Sequence, residues 1–511
     1  MKLLLLCSLL ASSALSEDVV SSRRFPRNFK FGTASAAYQI EGGWDADGKG
    51  ENIWDRSTHL HPEKNSYQTG DVACDSYNKW QEDVDLLVGM GVSTYKFSIA
   101  WSRVLPTGLV DSPNPSGIEY YRKLIGALRE NNIEPLVTMH HWHLPTYLED
   151  LGGFTNSDIQ EWFVDYARFL FDNFGDQVTE WITFNEPKQT CEHGYGTGAL
   201  ASNIESPGVK DYICAHNLII AHGKAYRLYE REFKESQGGR VTMVIDSNWF
   251  GPASESAEDI EAAERNMLFT YGWFGHPINF GDYPEVMKER IAYRSELEGF
   301  ASSRLPSFTE EEKEIIAGTA DFMCVNIYTS SLVGAIEEPA IVRESPSREL
   351  DLGVEVYQPD DWEPTITSWF KVVPWGARKL VKWISDTYDH PEIIVTENGY
   401  HDDGTVIHDL ETRGRYHKVI FTFELLYVVR TFIESHGQFD TSYVLSLELY
   451  LSNLQDAIYE DDVNLTGYMA WALTDDFEWQ YGYNIQLGLY QVNFTDPDRP
   501  RTAKDSAAYY R

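Results

Sequence analysis

Eight short apolar runs recur along the chain, each followed by polar or aromatic residues and then by a stretch of helical periodicity. The runs are Phe29–Ala37, Thr94–Ile99, Glu134–Met139, Val178–Phe184, Arg240–Asp246, Asp321–Ile327, Glu392–Thr396 and Thr466–Ala472. Between them lie amphipathic stretches such as Tyr120–Asn131, Asp158–Phe174, Tyr212–Glu235 and Trp375–Tyr388. Strands that alternate with helices pair in parallel, because a parallel pair needs a long crossover. Eight such units predict an α/β chain folded as a single (β/α)8 TIM barrel. An open doubly wound sheet is the competing architecture, but no glycine-rich phosphate loop follows the first run.

A barrel of this kind carries its chemistry at the C-terminal ends of the strands. All eight ends here bear polar or aromatic groups: Tyr38-Gln39-Ile40-Glu41, Trp101-Ser102-Arg103, His140-His141-Trp142 and Asn185-Glu186-Pro187 in the first half. The second half supplies Asn248-Trp249, Tyr328-Thr329-Ser330, Glu397-Asn398-Gly399 and Glu478-Trp479. A glutamate taken at random is usually solvated surface. Glu186 and Glu397 differ, because they follow the fourth and seventh runs and would face each other across the barrel mouth. Two opposed carboxyl groups are what acetal hydrolysis needs, one to protonate the leaving oxygen and one to meet the anomeric carbon. A separation of about 5–5.5 Å gives a covalent intermediate and retention, and about 6.5–9.5 Å admits a water and inverts. Sequence spacing does not supply that distance.

Composition narrows the ligand. Among 511 residues, 79 acids against 42 bases leave a net charge of −37, which disfavours a nucleic-acid backbone or an anionic membrane surface. The 15 Trp, 30 Tyr and 25 Phe suit a neutral polar ligand that stacks on rings, as sugars do. Lys2, the apolar run to Leu15 and the small residues of Ala14-Leu15-Ser16 read as a signal peptide over residues 1–16. The remaining 17–511 is expected to be one secreted, extracellular domain of the kind found in a digestive lumen, without a membrane anchor. The acceptor sequons at Asn464 and Asn493 agree with that route. Removing Cys7 leaves Cys74, Cys191, Cys214 and Cys324, which allow three pairings. Their wide spacing is unlike a zinc site, and no metal is expected.

Thr183-Phe-Asn-Glu-Pro187 and Thr396-Glu-Asn-Gly399 resemble the acid/base and nucleophile motifs of glycoside hydrolase family 1, the retaining β-glucosidases. Further matches run over nearly the whole chain: Phe31 to Gly42, Ile53-Trp-Asp55, Phe97 to Gly108, His141 to Pro145, Asn326 to Ser330 and Asp476 to Trp479. The secretory start and Cys191-Glu-His-Gly-Tyr-Gly196 are most similar to secreted insect members. The resemblance implies Glu186 as acid/base and Glu397 as nucleophile, with Tyr328 hydrogen-bonded to the nucleophile. It implies Asn185 at the sugar 2-OH, and Gln39, His141, Trp142, Glu478 and Trp479 at the other glycone hydroxyls. Trp471 would lie beneath the sugar, Trp369 and His193 would line the aglycone side, and no cofactor is implied.

Four departures from the family pattern stand out. Lys96 replaces the usual arginine beside the nucleophile, keeping the charge but losing the planar fork, so a less well fixed nucleophile and slower glycosylation are expected. Leu487 removes an aromatic ring near the sugar 6-position, which bears on the preferred sugar. Asp476 replaces an asparagine and adds a carboxyl near the glycone. Finally, Val419–Glu448 interrupts a helix that would otherwise continue from Tyr416 into Tyr450, Leu451, Leu454, Ala457 and Ile458 on one face. The inserted stretch opens greasy, is in frame, and begins and ends in codons compatible with GT and AG, so it reads as a retained intron. The expected substrate is a small-molecule glycoside. A thioglucosidase opening glucosinolates and a catalytically impaired carbohydrate-binding relative are the alternatives.

Overall fold

The computed structural model describes residues 24–341, 346–405, 407–409, 412, 413, 416 and 450–510. Eight parallel strands close into a barrel. They are β1 (Lys30–Ala34), β2 (Thr94–Ser98), β3 (Glu134–His140), β4 (Glu180–Asn185), β5 (Arg240–Asp246), β6 (Met323–Asn326), β7 (Ile393–Asn398) and β8 (Leu465–Trp471). Each strand pairs with its neighbours in chain order, and β1 closes the ring against β8, Lys30 to Ala34 aligning with Gly467 to Trp471. All eight coincide with the apolar runs of the sequence. The largest difference is at β1, where Ala37–Ile40 leaves the strand as a helical turn and lays Gln39 under the barrel mouth. The strands read as near-continuous apolar segments because both of their faces are covered, one by the barrel interior and one by the helices.

The helices form for ordinary reasons. Pro115–Glu130 starts with Pro in its first turn, while the Asn114 side chain caps the Ser116 amide. Its apolar stripe, Tyr120, Tyr121, Leu124, Ile125 and Leu128, is buried against the barrel. The expected helices at 158–174, 212–235 and 375–388 appear as Ile159–Phe174, Lys210–Glu232 and Pro374–Thr387. Three small sheets among the described residues escaped the sequence reading, and one of them takes in two of the expected strand-end residues. Trp249–Pro252, Ser330–Ala335 and Val354–Tyr357 form a three-stranded sheet outside the barrel, so Trp249 and Ser330 belong to that flanking sheet.

The strand-end clusters also divide. Trp101 is fully buried and stacks on Tyr166 at 4.2 Å, while Arg103 pairs with Glu41 at 2.8 Å, so these are packing groups of the wall. Of the three cysteine pairings left open, the structure has Cys191–Cys214, with Cα atoms 5.4 Å apart, and leaves Cys74 and Cys324 as buried thiols. The bond ties segment Gln189–Gly196 to the following helix.

The expected signal peptide at 1–16 and the expected insertion at 419–448 both lie outside the described residues. On either side of the latter, Tyr416 and Tyr450 stand together, ring centroids 4.3 Å apart, and both hydroxyls donate to the Tyr328 carbonyl, at 3.3 and 2.9 Å. This is the neighbour relation of residues four apart on a single helix. Asn464 and Asn493 both occupy exposed positions.

Candidate active site

A cleft of about 370 Å³ opens at the C-terminal end of the barrel. Both carboxyl groups singled out by sequence line it. Glu186 follows β4 directly and has a left-handed backbone, φ +48°, which turns it off the strand line. Glu397 lies within β7 rather than after it. Register shifts occur beside both, in the β4–β5 ladder between Ile182 and Asn185, and in the β6–β7 ladder between Val395 and Glu397. Bulges re-aim side chains, and here they turn two acids toward the mouth.

One hydrogen-bonded network holds the pair. Lys96 projects from the middle of β2 with no solvent exposure, and its Nζ lies 2.5 Å from Glu397 Oε1 and 2.7 Å from Asn185 Oδ1. Tyr328 donates to the other oxygen, Glu397 Oε2, at 2.9 Å. Each carboxylate oxygen of Glu397 thus has its own donor, one from Lys96 and one from Tyr328. Burial, reinforced by the charge of Glu397, pushes the Tyr328 phenol well above its usual value, so it stays a donor. On the other side, Asn326 Nδ2 donates to Glu186 Oε1 at 2.8 Å, while Thr396 donates to Asn326 Oδ1 at 2.7 Å and fixes the amide's orientation. Burial raises the Glu186 pKa well above the ordinary carboxylate range, with Glu397 and then Asp246 adding to it. One carboxyl is thus ion-paired and its partner is biased to keep a proton.

The remaining expected residues fall into two layers. His141, Trp142, Glu478, Trp479 and Trp471 line one half of the cleft. Trp142 packs on Trp479 at 4.6 Å, and its indole N–H donates to the Asn185 carbonyl, so it offers a ring face rather than the expected hydroxyl contact. Burial, then Lys96, holds His141 neutral, and its Nε2 accepts from Asn185 Nδ2 at 3.1 Å. Gln39, Asn185 and Lys96 form a buried layer below. Gln39 does not line the cleft; its Nε2 reaches Glu478 Oε2 at 3.1 Å, Phe477 O at 3.0 Å and Asp476 Oδ1 at 3.2 Å. Across the cleft stand His193 and Trp369, the latter 41% exposed at the rim with its ring 5.1 Å from His401. Leu487 also lines the cleft.

Sequence reasoning missed Asn326, Asp246, Lys188, Gln189, Phe250 and His401, all of which line the cleft. Asn326 and Asp246 end β6 and β5, so strand position alone marks them. Asp476 needs a correction of another kind. Its carboxyl is buried, Oδ2 has no donor, and the nearby Lys504 ammonium pairs with Asp475 at 2.7 Å instead. Burial, then Glu478 and Asp475, push Asp476 well above the usual range, so it adds a neutral acid, not a charge. Burial also raises Glu478, to about 8. Among the described residues, no group of three or more His, Cys, Asp or Glu could hold a metal ion, and no helix is long and apolar enough to cross a membrane.

An eight-stranded α/β barrel whose fourth and seventh strands bring two acids to an aromatic-lined mouth fits a glycoside hydrolase. The profile of Glycosyl hydrolase family 1 matches residues 21–511, and the chain belongs to that family. It is 44% identical over 491 residues to Myrosinase 1 of Brevicoryne brassicae, covering 96% of this chain and 98% of that protein. The human cytosolic beta-glucosidase is 41% identical over 493 residues, with coverage of 95% and 97%. Among solved structures, aphid myrosinase superposes with a TM-score of 0.84 at 43% identity, covering 96% of this chain and 98% of that one. A rice beta-glucosidase gives 0.83 at 34%, covering 96% and 99%.

Asp476→Asn tests the neutral-acid assignment. A carboxyl whose folded pKa lies above its unfolded value stabilises the protein below the unfolded pKa, and that contribution falls as pH rises toward the folded one. The asparagine variant should therefore melt about 2 °C or more above the parent at pH 8 and close to it at pH 4 in calorimetry. Equal shifts at both pH values would show that the carboxyl does not titrate in this way.

Proposed function

We propose that this chain is a secreted retaining β-glucosidase in which Glu397 is the nucleophile and Glu186 the acid/base. The observation that carries the reading is the asymmetry of the two acids: Glu397 has a buried ammonium and a phenol on its two oxygens, and Glu186 has only an amide donor and a raised pKa. Glu397 attacks the anomeric carbon while Glu186 gives its proton to the leaving oxygen, so the glycosidic bond breaks and a glycosyl ester forms. Esterification removes the Glu397 charge, one of the causes that raise Glu186. Glu186 then acidifies and accepts a proton from the water that cleaves the ester, returning both groups to their starting states.

The family resemblance supplies the other roles. It assigns the sugar 2-OH to Asn185, whose amide nitrogen rests on His141 Nε2 in this structure, and it assigns to Trp471 the ring beneath the sugar. Glu478, Trp479 and His141 hold the remaining glycone hydroxyls, with Gln39 fixing Glu478 from below. Trp369 and His193 border the leaving group. The leader 1–16 and the exposed sequons at Asn464 and Asn493 support secretion with glycosylation. A thioglucosidase activity is the second reading, favoured by the similarity to Myrosinase 1. The catalytic step on Glu397 is common to both.

Two variants separate the roles. Glu397→Ala should abolish turnover of an aryl β-glucoside, and azide should restore it with the α-glucosyl azide as product. Glu186→Ala should slow poor leaving groups by about 10²–10⁴ and activated aryl groups far less. Undiminished activity in the first, or equal slowing in the second, contradicts the assignment.

We also propose that residues 419–448 are foreign to the functional enzyme, a reading supported by the contact of Tyr416 with Tyr450. A chain lacking 419–448 should melt higher than the full chain and turn over substrate faster in parallel assays. A lower melting temperature with lost activity would make the segment an integral part of the fold.

A further inference from the structure

We propose that Asp246 is a specificity residue that turns anionic aglycones away, leaving glucosides with a neutral aglycone as the substrate class. The proposal deepens the reading above and rests on it. Asp246, the last residue of β5, lines the cleft with Glu186 and stands in register with Asn326, whose amide donates to Glu186 Oε1, so it belongs to the Glu186 side of the cleft.

An anionic aglycone needs a free cation there, and the described lining residues offer none. Among the described lining residues Lys188 is the single lysine or arginine, and its Nζ lies 2.8 Å from Asp246 Oδ2. Gln189 Nε2 donates to the same oxygen at 2.9 Å, which fixes the carboxylate against the ammonium. Burial alone would depress the Lys188 pKa, but Asp246 and Glu192 outweigh it and keep the ammonium charged and committed. The next cation, Arg348, pairs with Glu192 at 2.9 Å. The histidines do not compensate, since burial lowers His193 and takes His401 to about 3.

A sulfate or carboxylate entering this half would have to displace Asp246 from Lys188 or sit unpaired beside it. Either route brings like charges together in a poorly solvated cleft. Neutral aryl or glycosyl groups meet no such penalty and find Phe250, Leu200 and Trp369 on the walls. Glucosinolates, whose aglycone carries a sulfate, fall on the excluded side.

The test compares 4-acetamidophenyl and 4-carboxyphenyl β-glucosides, whose phenols have similar acidity, on the parent and on Asp246→Asn. The parent should prefer the neutral glucoside at least about tenfold in kcat/KM, with the difference in KM, and Asp246→Asn should shrink that preference about tenfold. Because both substrates depend on the same Glu186 proton, any change in that acid cancels in the ratio. Lys188→Gln, which leaves Asp246 uncompensated, should widen the preference and serves if the first variant fails to fold. Equal use of both glucosides by the parent, or a ratio unmoved by either variant, overturns the proposal while leaving the glycosidase reading intact. No turnover of the neutral glucoside by the folded parent overturns that reading and the proposal with it.

Discussion

The ammonium of Lys96 sits without solvent between Glu397 and Asn185, and the arrangement of the cleft depends on it. A buried carboxylate is tolerable only with a charge partner and satisfied hydrogen bonds, and removing one member of such a pair costs about 3–5 kcal/mol. Lys96 meets the requirement from β2, three strands from β7 around the ring through β1 and β8, so the barrel must close for the charge to be neutralised. The same nitrogen takes up Asn185 Oδ1, while the Asn185 amide nitrogen rests on His141 Nε2. Fold and chemistry are coupled through one side chain.

The second acid is built by the contrary device. Glu186 receives an amide from Asn326 and no cation, while Asp246 and Glu397 add negative charge around it. Its surroundings thereby raise the proton affinity of Glu186 while Glu397 is held in an ion pair, an arrangement suited to acid/base work. Below them, Gln39, Asp476 and Glu478 form a second carboxyl group cluster in which one amide nitrogen serves three acceptors and Asp476 is kept neutral.

Much of this was legible in the sequence because a parallel barrel imposes a repetitive demand. Each strand is covered on both faces, so each reads as an apolar run, and the residue after it is placed at the mouth by topology. Glu186 and Glu397 were recognisable on that ground, whereas Asp246, which also ends a strand, was passed over for Asn248 and Trp249 just beyond it. The sheet formed by Trp249–Pro252, Ser330–Ala335 and Val354–Tyr357 was not legible, since its short strands lie on the rim and lack that double burial. Nor could spacing tell that Arg103 and Glu41 belong to the wall while Lys96, two residues before Ser98 on the same sheet, belongs to the site. Those distinctions depend on which way each side chain projects and on ion pairs formed between distant strands.

The account stands on Glu397 forming a covalent bond to the sugar while Glu186 supplies and then removes a proton. The most direct measurement is proton NMR of the reaction with an aryl β-glucoside, read before mutarotation. The first sugar released should be the β-anomer. Initial appearance of the α-anomer would mean a single displacement by water, and Glu397 would then be a base instead of a nucleophile.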